Sequence, residues 1–193
     1  KKTLEILKLD HIKILDCNKF RHIIGDQVFS VDHPWYQGGY ISEEAKNLSN
    51  WIVPWINKKF LPYAEYFESN EKIFLDRSES PNNHCQIENN NEVIDFLNKK
   101  GFTSYKVGQL SFEQQIHLFK NAKIIVGAHG AAFANLAFCS PETQVIEIKP
   151  IHHPNYASKT IGKINDLKVK IIETPKFKNY NINLDINELN KNL

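Results

Sequence analysis

From residue 72 onward, short runs of β-branched and aromatic residues alternate with stretches whose apolar positions recur at helical spacing. This alternation is typical of βαβ units, so the pattern predicts an α/β fold: a Rossmann-like parallel sheet with helices on both faces. The predicted strands occupy residues 72–76, 103–107, 123–127, 144–148 and 168–172. The third of them is almost wholly apolar, and we therefore expect it at the centre of the sheet.

Helix signals fill the segments between these strands. Residues 91–100 place their apolar side chains on one face and are followed by Gly101, which suits a helix C-cap. Ser111 and Gln114 form a capping-box pattern and predict the start of the next helix. Two shorter helices are expected at residues 130–136 and 156–165.

The pattern before residue 72 is less regular. Strands are possible at residues 12–15 and 27–31, and an amphipathic helix at 42–60 is interrupted by Pro54. We therefore divide the chain into a partial N-terminal segment, a Rossmann-like domain and a C-terminal tail. Their predicted bounds are 1–71, 72–175 and 176–193. The tail could form a final helix that packs back on the N-terminal segment.

Composition and charge narrow the class of protein. The chain has 193 residues, with 24 Lys and Arg against 22 Asp and Glu. This near balance disfavours a partner bound mainly through phosphates, so we expect no nucleic acid. Three scattered cysteines are too few for a disulfide scaffold and favour reduced thiols.

The ends and apolar runs of the chain bear on its location. No secretory leader opens the sequence and no apolar run is long enough to span a bilayer, so we expect a cytoplasmic protein. Any membrane association would come through sequence outside this chain. The absence of methionine, including at the first position, indicates a segment of a longer protein.

The sharpest local feature is a strand that ends in a glycine turn and passes directly into small residues, at positions 124–135. Gly127 and Gly130 permit a close backbone approach, and the first N–H groups of a helix favour an anion. The dinucleotide fingerprint requires a glycine where His129 stands, which disfavours hydride transfer. His129 either faces a diphosphate or only caps the strand.

Charged residues lie at or just after the ends of two other strands, at the same expected edge. Arg77 could grip a phosphate bidentately, or it could pair with Asp76 or Glu79. Glu147 could accept hydrogen bonds from ribose hydroxyls, or it could pair with Lys149. No Asp-x-Asp motif occurs and no His, Cys, Asp and Glu residues have metal-ligand spacing, so the sequence predicts no metal site.

Six short motifs follow one another in a fixed order. They are Ile73-Phe74-Leu75-Asp76-Arg77, Ile87-x-Asn89-x-x-Glu92, Gly101-Phe102, Ser111-Phe112-x-Gln114, Val126-Gly127-x-His129-Gly130-Ala131-x-x-x-Asn135 and Val145-Ile146-Glu147. Over residues 72–150 this series resembles the donor-binding half of glycosyltransferase family 61. That family includes bacterial capsular polysaccharide transferases, plant xylan-decorating transferases and animal enzymes that add N-acetylglucosamine to proteins.

The resemblance implies a GT-B-type donor domain that faces a partial or reduced second, acceptor-side domain. It also implies metal-independent, inverting transfer of a sugar to a glycan or protein hydroxyl. The nucleotide sugar is then a substrate, and no cofactor is expected. The donor-binding residues expected on this basis are Arg77, Asn89, Gly127, His129, Gly130, Ala131, Asn135, Glu147 and Lys149.

The general base is expected across the cleft from the donor. Asp32 and His33 follow a possible strand and precede an aromatic residue, so they are candidates, although the pattern favours a structural turn over a catalytic role. His129 is the third candidate for a catalytic role.

One departure from the family pattern favours an alternative function. The family usually has a second arginine where Cys85 and Gln86 stand, and without it the chain could be a non-catalytic nucleotide- or sugar-binding module. A methyltransferase is a further alternative, but it needs a glycine-rich loop after the first strand, and residues 75–78 have none.

Overall fold

A single parallel sheet organises the part of the chain that is described. The computed structural model describes residues 2–29, 48–80, 84–153, 155–175 and 180–193. The strands are β1 (Lys72–Leu75), β2 (Thr103–Tyr105), β3 (Ile124–Ala128), β4 (Gln144–Pro150) and β5 (Lys168–Thr174). All neighbours are parallel in the order β2-β1-β3-β4-β5, with the apolar β3 at the centre as predicted. The α/β, Rossmann-like fold is therefore confirmed.

Helices connect and flank these strands. The α-helices are α1 (Lys2–Ile6), α2 (Ile52–Phe60), α3 (Asn90–Lys99), α4 (Phe112–Asn121), α5 (Ala157–Ile164) and α6 (Ile186–Asn192), and 3₁₀ helices span Leu61–Tyr63, Val107–Gln109 and Ala131–Phe138. The capping box before α4 is confirmed, because the Ser111 hydroxyl accepts from the Gln114 N–H at 3.0 Å and the Gln114 side chain accepts from the Ser111 N–H at 3.1 Å. Gly101 follows α3 with φ +83°, where glycine costs least.

Successive side chains along the strands point to opposite faces of the sheet, and they contribute to two apolar clusters, one on each face. Ile73 and Leu75 lie in the first cluster, together with α4, the 3₁₀ helix Ala131–Phe138 and Phe60 of α2. Phe74 lies in the second, together with α3 and residues of the C-terminal tail. Because α2 shares the first cluster, residues before 72 contribute to the core of the sheet, and the expected domain boundary at 72 stays a prediction.

The prediction of N-terminal strands is wrong for the residues that the structure describes. Residues 12–15 form no strand, and Ile14 is 70% exposed. Residues 27–29 also lack strand structure, and 30–31 lie outside the described residues. The predicted helix at 42–60 is confirmed only from Ile52, and its residues 42–47 are likewise outside the described part. Pro54 lies in the first turn of α2, where its missing N–H costs no helical hydrogen bond.

The C-terminal tail packs on the sheet, and the expectation that it also packs back on the N-terminal segment stays a prediction. Ile182, Leu184 and Leu189 are buried in the second cluster, and Ile182 forms a parallel bridge with Ile87. Apolar positions of the tail thus cover a face of the sheet that α3 leaves open. None of the described helices is long and apolar enough to cross a membrane.

Candidate functional site

The register of the sheet brings the candidate residues to one edge. Gly127 of β3 pairs with Leu75 of β1 on one side and with Glu147 of β4 on the other. Arg77 and His129 each follow one of these positions by two residues. Because all three strands are parallel, their carboxyl ends meet at this edge, which is where ligands bind in open α/β sheets.

His129 and Glu147 form a buried polar pair at this edge. His129 Nδ1 lies 2.5 Å from Glu147 Oε1, and the two side chains are 13% and 0% exposed. A carboxylate only accepts hydrogen bonds, so Nδ1 of His129 donates in this contact. The contact fixes the ring orientation and leaves Nε2 as the second reactive nitrogen of His129.

Glu147 is not available to a ribose, and this corrects its expected role. Its second oxygen, Oε2, accepts a hydrogen bond from the hydroxyl of Ser158 in α5. Both carboxylate oxygens are therefore engaged inside the protein, on a side chain with no exposed surface. Glu147 instead holds His129, in the way that a buried carboxylate orients a functional histidine.

Arg77 lies against the glycine turn that follows β3. Its Nη2 donates to the carbonyl oxygen of His84 at 3.1 Å and to Ser80 Oγ at 3.5 Å. A Cβ atom added at Gly130 would lie 1.1 Å from Arg77 Nη1, so the absence of a side chain at Gly130 provides the space for the guanidinium.

Some N–H groups of the Arg77 guanidinium are not engaged by neighbouring acidic side chains. Asp76 accepts from Ser78, and Glu79 accepts from Lys106, so neither takes the ion pair that the sequence left open. Within the described chain, Arg77 Nε is buried with no hydrogen-bond partner. Burial lowers the pKa of Arg77 from its usual value, yet the group stays cationic at neutral pH. Arg77 is thus a half-buried cation suited to an anionic ligand.

Three other expected donor-binding residues make internal contacts in the structure. Asn89 bonds both backbone groups of Leu184, each at 2.9 Å, and so holds the tail. Asn135 Nδ2 donates to Gln115 Oε1 at 3.1 Å.

Lys149 is the third of these residues, and it is fully buried. Its ammonium donates to the carbonyl oxygens of His153 at 3.2 Å and Asn155 at 3.3 Å, and lies 3.6 Å from the ring centroid of Tyr156. Burial lowers the pKa of Lys149, and the carbonyls and the ring replace its water. Lys149 therefore supports the loop after β4 and does not extend toward a ligand.

Of the remaining expected residues, some shape the backbone around the turn after β3, and the others lie outside the described residues. Gly127 lies inside β3, where a Cβ would come 2.8 Å from Leu75 Cβ, so it permits close packing against β1. Ala131 is exposed at the start of the 3₁₀ helix that follows Gly130. Asp32 and His33 lie outside the described residues.

Sequence reasoning missed a group of side chains beside this edge. His84, Cys85 and His153 bring one nitrogen or sulfur atom each to within 4.8 Å of one another. They come from two separate loops, so no local spacing along the chain could reveal them. The expectation of no metal site rests on spacing along the chain alone and does not take this group into account.

The electrostatics of this group follow from its burial. Burial, together with the nearby His129 and Lys149, lowers the pKa of His153 to about 4. Burial also raises the pKa of the Cys85 thiol to about 11. His153 lies close to the candidate site, since its ring centroid is 4.2 Å from that of His129.

The described side chains enclose a small pocket at this edge. Its volume is about 90 Å³, and its lining includes Arg77, Gln86, Asn90 and Ala128. Ligand pockets typically measure about 300–1,000 Å³, so these residues supply one wall of any larger site.

A known protein family matches most of the chain. The sequence model of the family described as Glycosyltransferase 61 matches residues 12–146, more than two thirds of the chain. The match includes Arg77 and His129 and ends just before Glu147. It also begins well before residue 72, where the sequence motifs start. No curated protein matches the chain at a significant level.

Proposed function

The chain belongs to glycosyltransferase family 61, and from this premise we propose that it transfers a hexose or pentose from a nucleotide sugar to a hydroxyl of a glycan or protein. The observation that supports this most directly is the position of Arg77 against Gly130, next to the His129–Glu147 pair. A cation and an oriented imidazole at the carboxyl edge of a parallel sheet suit a diphosphate. Family membership also removes the basis for the methyltransferase alternative.

In the proposed reaction the acceptor oxygen attacks the anomeric carbon from the face opposite the nucleotide. The bond from that carbon to the diphosphate oxygen breaks and its electron pair leaves with the diphosphate, which inverts the anomeric centre. The acceptor proton passes to a general base, for which Asp32 and His33 remain our candidates. Arg77, through its guanidinium, and His129, through Nε2, stabilise the charge that develops on the diphosphate.

We propose a GT-B arrangement for the whole enzyme, with the described sheet as the donor domain. The acceptor side would then come from residues before 72 or from sequence outside this chain. This arrangement explains why the residues at the sheet edge form only one wall of a nucleotide-sugar site. Polysaccharide biosynthesis is the corresponding process if the acceptor is a glycan.

Replacing Arg77 by Ala should weaken the binding of nucleoside diphosphates. One charge-assisted hydrogen bond contributes about 1.5–3 kcal/mol, so we expect a loss of about 10- to 150-fold in affinity. Calorimetric titration with a panel of nucleoside diphosphates measures it. Arg21, the only other arginine, is exposed, and Arg21→Ala is the matched control that should bind like the wild type. Equal affinity in wild type and Arg77→Ala would contradict the proposed site.

Transfer should not require Mg²⁺ or Mn²⁺. The sequence has no Asp-x-Asp motif to hold a hard cation on the diphosphate, and the cationic Arg77, with His129 beside it, takes the place of such a cation. Turnover of a donor panel should therefore be equal with and without these ions in buffers freed of both. A rate that rises in proportion to bound Mg²⁺ or Mn²⁺ would show that a cation neutralises the diphosphate.

A non-catalytic binding module is the second candidate function. The observation that favours it is the absence of a cationic side chain at Cys85 and Gln86, where the family usually has an arginine. Gln86 instead donates to the carbonyl oxygen of Arg77 at 3.3 Å. Tight binding of a nucleoside diphosphate without turnover of any donor in the panel would identify this function.

A further inference from the structure

Two loops meet beside the candidate site through side chains that can bind a metal ion. His84 and Cys85 lie in the loop between β1 and α3, and His153 lies between β4 and α5. Their ligand atoms are all within 4.8 Å of one another, and His84 Nε2 is 4.0 Å from Cys85 Sγ. Cys85 has no exposed surface and His153 is 8% exposed, whereas His84 is only partly buried.

We propose that His84, Cys85 and His153 bind one Zn²⁺ ion. One thiolate and two imidazoles form a donor set that zinc prefers, and a water molecule or a further ligand would complete a tetrahedron. Zinc bonds of about 2.0–2.3 Å place tetrahedral ligand atoms about 3.5 Å apart, so the three side chains must close by about 1 Å. The thiol of Cys85 releases its proton to solvent when the zinc–sulfur bond forms.

This donor set points to zinc and not to the ions that usually bridge a sugar diphosphate. Mg²⁺ and Mn²⁺ prefer carboxylate, carbonyl and water oxygens, none of which belongs to the three side chains. The zinc site therefore does not rest on the proposed function, and it is compatible with transfer that needs neither Mg²⁺ nor Mn²⁺.

The ion would tie together the loops that hold two functional side chains. The carbonyl oxygen of His84 accepts from Arg77, and the ring of His153 packs on that of His129. Zinc would thus fix the ends of β1 and β4 relative to one another. We assign the ion a positioning role, with no contact to the reacting atoms.

Co²⁺ substitution tests the proposal, because a thiolate bound to tetrahedral Co²⁺ gives a charge-transfer band that oxygen ligands do not give. The full chain should bind one equivalent of Co²⁺ with this band, and Zn²⁺ should displace it. Cys85→Ser should lose the band. His153→Gln should weaken Zn²⁺ binding by about 100-fold or more, since even outer-shell changes cost about 10- to 100-fold.

The chain offers matched controls for both variants. Cys17→Ser removes an exposed thiol, and His152→Gln changes the exposed neighbour of His153. Both should keep the band, the affinity and the rise in melting temperature that Zn²⁺ causes in the wild type. Circular dichroism without metal verifies that each variant folds. Absence of a thiolate band in the wild type would overturn the proposal, as would unchanged zinc affinity in both Cys85→Ser and His153→Gln.

Discussion

Replacing His129 by Asn should lower turnover by about 10²–10³-fold, because one preorganised donor to a developing negative charge contributes about that much. The imidazole is held by the buried carboxylate of Glu147, so its orientation is set before a donor binds. Asn cannot supply the nitrogen corresponding to Nε2 and loses the contact to the diphosphate. The measurement is the rate of sugar transfer at saturating donor, compared with the affinity for the nucleoside diphosphate.

Asn is preferred to Ala at this position because of Glu147. An Ala would leave a fully buried carboxylate with Ser158 as its one remaining partner among the described side chains, and breaking a buried pair costs about 3–5 kcal/mol of stability. The amide nitrogen of Asn can still donate to Glu147 Oε1, so the variant should melt near the wild-type temperature. His152→Asn is the matched control, because His152 is exposed at φ +61°, a conformation that Asn adopts readily. If His129→Asn turns over within a few-fold of the wild type, His129 does not act on the leaving group.

Much of this fold and part of this site could be predicted from the sequence. The strands after residue 72 pair with neighbours on the sheet, so local apolar patterns and tertiary structure agree there. Parallel strands present their carboxyl ends at one edge, and this rule alone predicts that Arg77 and His129 lie close together. The N-terminal apolar residues failed as strand signals because β-propensity acts only where a neighbouring strand is available.

The orientation of each side chain could not be predicted in the same way. Whether Glu147 faces a ligand or the interior depends on Ser158, which α5 brings over the end of β4. The burial of Lys149 depends similarly on the path of the loop through His153 and Asn155. The contact of His84 and Cys85 with His153 needs two loops to converge, which no periodicity encodes.

Replacing Gly130 by Ala should abolish most of the diphosphate affinity while leaving the fold almost unchanged. The new Cβ would lie 1.1 Å from Arg77 Nη1, so the guanidinium must leave its position. Gly130 has φ 169°, extended backbone that any residue adopts, and the colliding atom is the far end of a flexible side chain. We therefore expect an affinity loss at least as large as that of Arg77→Ala, about 100-fold, measured by calorimetric titration.

Substitutions at two other glycines serve as controls. They distinguish the displacement of Arg77 from the general effect of adding a methyl group to the backbone. Gly108→Ala should change nothing, since no described atom would lie within 4 Å of the added Cβ, whereas Gly127→Ala should cost about 1–3 kcal/mol of stability against Leu75 in the core. A double-mutant cycle completes the test, because residues that act through one contact do not add. The variant with both Arg77→Ala and Gly130→Ala should bind no more weakly than Gly130→Ala alone. Additive losses would mean that Gly130 acts on the ligand independently, through its backbone N–H.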